Sequence, residues 1–100
     1  MTDEQEIQQV VSKYVRAVDA RDGNAMKELY IENGVVEIYF GPFKPTKKLG
    51  VLEGAEAIGK SVSQMMKPHA KGGWSHHVAT NPIIAISGDS ATIDTHFIVY

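Results

Sequence analysis

The stretch from Trp74 to Tyr100, WSHHVATNPIIAISGDSATIDTHFIVY, constrains the fold more than any other part of the chain. Two runs rich in valine, isoleucine, threonine and aromatic residues flank a two-residue break at Gly88-Asp89. That pattern predicts two long antiparallel strands joined by a tight turn. A sheet has to be built around this hairpin. Towards its open end it carries polar residues that a purely structural hairpin does not need, namely His77, Asn81, His96 and Tyr100.

The remaining elements follow in order. Thr2 and Gln5 have the spacing of a capping box, and Ile7, Val10, Val11, Tyr14, Val15 and Val18 recur every three or four residues. This predicts an amphipathic helix to about Ala20. Asp19 continues the row Val11, Val15 at i+4 spacing, so its carboxylate falls on or beside the buried stripe and needs a partner there. It either caps the helix end and the Arg21-Asp22-Gly23 turn or serves as a functional carboxylate. A shorter helix is expected from Ala25 to Tyr30. Val35 to Phe40 reads as a strand, with Val36, Ile38 and Phe40 on one face and Val35, Glu37 and Tyr39 on the other. Pro42 and Pro45 make Gly41 to Pro45 a loop. A short strand at Leu49 to Leu52 pairs back, and a second long helix runs from Gly54 to about Lys67 over Ile58, Val62, Met65 and Met66. Pro68 ends it, and His69 to Gly73 is a connection.

One hundred residues, 43% of them hydrophobic, supply one core and one domain, residues 1–100. Helices first and antiparallel strands last give an α+β class, with the helices packed on one face of a curved, mostly antiparallel sheet. The sequence stops at Tyr100 inside an apolar strand, which predicts a further strand, or another chain, to cover that edge. The net charge of −2 is spread along the chain, giving no footprint for nucleic acid or an anionic membrane. There is no cysteine, hence no disulfide or thiolate chemistry. The polar start, MTDEQE, is no signal peptide, and no apolar run has the length of a membrane span. The expected location is cytoplasmic.

The histidines divide by position. His76 and His77 are adjacent on a strand and face opposite ways, so they cannot both line one pocket unless a bulge intervenes; His76 is taken as structural or exposed. An unbulged hairpin pairs Asn81 with His96 and His77 with Tyr100, putting all four on one face; a bulge at Pro82 breaks that register. His69 belongs to a solvated loop. The four histidines lack the spacing of a zinc site, and no phosphate loop, nucleophile elbow or nucleotide fingerprint is present.

The segments YVRAVDARD and LEGAEAIGK, together with the hairpin from His76 to Tyr100, resemble the SnoaL-like branch of the nuclear transport factor 2-like superfamily. The resemblance implies a cone in which helices wrap a strongly curved sheet around a pocket, a homodimer, and further strands after residue 100. It is closest to the scytalone dehydratase-like and dehydrochlorinase-like members, which use a histidine-aspartate dyad. Asp19 and His77 match that dyad, and Tyr39 lies close to the position of the strand tyrosine of the dehydratase type. Tyr14, in a VxxYVxA setting, matches the oxyanion tyrosine of ketosteroid isomerases. Their general-base aspartate falls on Ile38, which argues against steroid isomerase chemistry in its usual form.

The dyad also makes chemical sense. An imidazole, with an unperturbed pKa of about 6.5, accepts a proton at neutral pH, and an aspartate on its other nitrogen fixes the tautomer and stabilises the imidazolium. A tyrosine hydroxyl on a carbonyl oxygen stabilises the developing enolate. The expectation is a cofactor-free lyase or isomerase. It abstracts a proton from a hydrophobic, carbonyl-bearing small molecule with Asp19, His77, Tyr14 and Tyr39, and contacts that molecule through Asn81, His96 and Tyr100. The alternative is a small-ligand-binding or dimeric assembly domain that uses the same cone without catalysis.

Overall fold

The computed structural model describes residues 1–41 and 47–100, so most of the expected Gly41 to Pro45 loop lies outside the described residues. Helix α1 spans Asp3–Asp19. Its capping box is formed: the Gln5 amide donates to Thr2 Oγ1 and the Thr2 amide to Gln5 Oε1, at 3.2 and 2.9 Å. Asp3, Glu4 and Glu6 complement the positive end of its dipole. Helix α2 covers Gly23–Lys27, beginning two residues before the expected Ala25 because Asp22 caps it through the Ala25 amide.

Strands β1, Val35–Phe40, and β2, Lys47–Glu53, pair antiparallel. Leu49 is the extra residue of a bulge, since Ile38 pairs with Gly50 while Tyr39 pairs with Lys48. Helix α3, Ala55–Lys60, continues into a π-helical turn, Ser61–Met65, closed by the Met66 amide on the Ser61 carbonyl. The expected helix to Lys67 therefore ends near Met65, with Met66 already extended ahead of Pro68.

Strands β3, His77–Ser87, and β4, Ser90–Val99, form the expected hairpin around Gly88-Asp89. Gly88 takes the positive φ, 57°, that such a turn requires. The arrangement is α+β as expected. Among the described residues the strands form two separate ladders, β1-β2 and β3-β4, rather than one continuous sheet.

The core joins the helices. Ala17 and Val18 of α1, Met26 of α2, and Ile58 and Val62 of the α3 segment form one buried cluster, with Tyr14, Leu29, Tyr30, Val36, Leu52 and Met66 around it. At its centre α2 and α3 approach backbone to backbone. A Cβ on Gly59 would stand 2.6 Å from the Gly23 carbonyl oxygen, and one on Gly23 2.5 Å from that of Gly59. Helix α1 lies along one face of the β3-β4 hairpin, its Tyr14 ring 5.8 Å from that of Phe97.

Candidate active site

The hairpin register decides which polar residues share a face. A bulge at Asn81-Pro82 inserts one residue opposite Thr95, so Thr80 pairs with His96 and Ile83 with Asp94. Asn81 takes up the left-handed φ of 53°, which asparagine tolerates, and Pro82 has no amide hydrogen to lose from the ladder. The result corrects the unbulged expectation. His77 pairs with Val99 rather than Tyr100, and Tyr100 pairs with His76. His96 and Tyr100 thus stand on the face opposite His77 and are exposed, as is Asn81.

On the face turned towards α1, Asp19 meets His77. The His77 Nδ1 atom lies 2.5 Å from Asp19 Oδ1, and the His77 backbone amide donates to both carboxylate oxygens at 3.1 and 3.2 Å. Both side chains are mostly shielded, 17% and 18% exposed. A carboxylate on the last residue of a helix faces the negative end of the dipole, so these donors are what hold it there. Burial pushes the Asp19 carboxyl up. The His77 ring and amide, the charge of His77 and the Ser75 hydroxyl outweigh that, leaving it below the ordinary carboxylate range. Among the described residues none bonds His77 Nε2.

Three neighbours of this pair carry weaker signals in the sequence. Ser75 Oγ donates to Asp19 Oδ1 at 3.3 Å and lies 3.0 Å from His69 Nε2. Two residues before His77, Ser75 shares its parity, and strand alternation alone could have flagged it. His69, expected to be solvated, is half-buried against it. Arg21 sits in the left-handed region at φ 55°, the position after a helix that usually takes glycine. The Arg21 amide bonds the Val18 carbonyl and the Asp22 amide the Ala17 carbonyl, which completes a Schellman cap. An arginine is used because its guanidinium ties three things together: Val18 O at 2.7 Å, Lys67 O at 3.2 Å and Ser75 Oγ at 3.5 Å.

His76 projects from the other face of the strand. Even so, its Nδ1 comes within 4.0 Å of Asp19 Oδ2, because the carboxylate sits at the strand's end. Ser12, Val15, Arg16, Asp19, Ala20, His76 and His77 line an open groove between α1 and the start of β3. Tyr14, one row round the helix, is half-buried against Phe97, the diagonal neighbour of His77. Burial raises its hydroxyl pKa, so it stays a protonated donor at neutral pH. Tyr39 is elsewhere. It belongs to the β1-β2 hairpin and donates its hydroxyl to Glu37 Oε2 at 2.7 Å. That bond, then burial and the Glu37 charge, raise its pKa.

Among the described residues no helix is long and apolar enough to cross a membrane. A comparison with curated proteins finds no match. The profile of the SnoaL-like domain matches residues 1–100, the whole sequence given. With its helices followed by antiparallel strands, the chain belongs to the SnoaL-like domain family of the nuclear transport factor 2-like superfamily.

Proposed function

We propose that the chain is a small acid-base catalyst of the dehydratase or isomerase type, acting on a hydrophobic carbonyl-bearing small molecule. The observation that carries this reading is the 2.5 Å contact between Asp19 Oδ1 and His77 Nδ1. A carboxylate can only accept, so His77 carries its proton on Nδ1 and presents the Nε2 lone pair as a base. In the proposed step Nε2 takes a proton from the carbon next to the carbonyl, and the C–H electron pair moves into an enolate. Asp19 stabilises the imidazolium, and Tyr14 donates to the enolate oxygen. The enolate then expels hydroxide from the β-carbon, which leaves as water with the proton from Nε2; in an isomerisation it is reprotonated at another carbon. Tyr39 stays outside this constellation because its hydroxyl is given to Glu37 on the other hairpin. Asn81, His96 and Tyr100 stay outside it as well, since all are exposed and the last two lie across the strand from His77.

Self-association is part of the proposal. On the face of the β3-β4 hairpin away from α1, Ile83, Ile98 and Tyr100 are 71%, 47% and 69% exposed. A second copy would cover them.

The test uses a β-hydroxy tetralone, whose loss of water gives a naphthol that absorbs in the ultraviolet. Wild type is expected to accelerate the elimination. His77→Ala and Asp19→Asn are expected to lower kcat by about 100-fold or more, the usual scale of general acid-base catalysis. Binding of the probe with no elimination in wild type would favour the non-catalytic ligand-binding reading.

A further inference from the structure

Resting on the proposed role of Asp19 and His77, we infer that Ser75 and His69 form a second arm on the Asp19 carboxylate and act as positioning residues for proton transfer at His77. A count of hydrogens fixes the arm. Ser75 Oγ owns one proton and has three polar neighbours: Asp19 Oδ1 at 3.3 Å, His69 Nε2 at 3.0 Å and Arg21 Nη1 at 3.5 Å. The carboxylate only accepts and the guanidinium only donates. Were the hydroxyl proton turned to His69, a serine lone pair would face the carboxylate, which is repulsive. With the hydroxyl proton donated towards Asp19 Oδ1, the serine lone pairs receive Arg21 and His69, and His69 must carry hydrogen on Nε2.

The two imidazoles therefore point N–H groups at one carboxylate from opposite tautomers, His77 directly through Nδ1 and His69 through the serine. The groups facing Asp19 are the His77 ring and amide, Ser75, the His76 ring at 4.0 Å and, behind Ser75, Arg21 and His69. Asp19 is the last residue of α1 and has no intrahelical bond to hold its side chain. The serine arm pins Oδ1 so that it stays on His77 Nδ1 while charge develops on the ring. Arg21, through Lys67 O, holds the connector that carries both His69 and Ser75. Geometry at this level controls kcat more than substrate binding.

The experiment is long-range proton-nitrogen NMR on histidine-labelled protein at neutral pH, paired with turnover of the β-hydroxy tetralone. The expected spectrum has His77 protonated on Nδ1 and unprotonated on Nε2, with an observable, slowly exchanging Nε2 proton on His69. In Ser75→Ala that His69 proton is expected to vanish into fast exchange and kcat to fall about tenfold, the worth of one hydrogen bond to a charged group, with KM little changed. Ser75→Thr, which keeps the hydroxyl, is expected to restore both, as a merely misfolded protein would not. A His69 ring protonated on Nδ1 alone, or a Ser75→Ala variant with an unaltered His69 signal, overturns the arm whatever the chain catalyses. An arm intact in the spectra, beside turnover that neither His77→Ala nor Ser75→Ala changes, overturns the proposed function and the positioning role with it.

Discussion

At the residue scale, Asp19 is the group on which most of the local hydrogen bonding converges. Its lowered carboxyl pKa links it to stability: the folded form holds the anion more tightly than the unfolded chain does. Its contribution is complete above the ordinary carboxylate value, about 3.9, and is lost as pH falls through the lower folded-state value. Asp19→Asn has no such titration. The stability gap between wild type and Asp19→Asn, measured by urea denaturation, should therefore be widest above the ordinary carboxylate range and shrink as pH falls below it. A gap constant with pH would mean that Asp19 is not ionised against His77. Asp19 was marked as a carboxylate in need of a partner by its place on the Val11-Val15 row of a helix; His77 as that partner came from the family resemblance, since strand alternation separates His77 from His76 without saying which of the two faces the helix. His69 was not legible, because a connector has no periodicity. Arg21 was hidden by its setting, as nothing local marks an arginine that will occupy a left-handed helix cap.

At the element scale, β-branched runs, turn glycines and helical rows located the strands and helices of the described residues to within a few residues. The π-helical turn at Ser61–Met65 was invisible, since one widened turn barely alters the spacing of apolar residues. Pro82 marked a possible bulge, and that single inserted residue decides which face His96 and Tyr100 occupy. The close crossing of α2 on α3 depends on two glycines far apart in sequence, which no local pattern pairs. It makes a sharp prediction. Gly59→Ala drives a Cβ against the Gly23 carbonyl and should cost roughly 1–3 kcal/mol, a fall in Tm of about 4 °C or more. Gly50→Ala, with nothing within 4 Å of the added carbon, should stay within about 0.5 kcal/mol of wild type. Equal Tm values for the two variants would show that the helices do not cross at this pair.

At the scale of the whole molecule, the chain is looser than a closed domain. Its Cα radius of gyration is 14.3 Å, against about 13 Å for a compact chain of this length. Both hairpins show apolar faces, with Phe40 66%, Ile83 71% and Tyr100 69% exposed. The sequence specified which neighbouring strands pair; how one hairpin relates to the other depends on contacts outside either, and so was not legible. A second copy is expected on the Ile83, Ile98 and Tyr100 face. Sedimentation equilibrium should then give the mass of two chains, with Ile98→Asp reverting to one; a wild-type monomer at every concentration would refute it. The central claim concerns His77 as a base for a carbon-bound proton, and it can be tested without knowing the leaving group. Wash-in of deuterium from heavy water into α-tetralone, at the carbon beside the carbonyl, should be accelerated by wild type and fall to the uncatalysed rate in His77→Ala. Equal exchange with both proteins would contradict it.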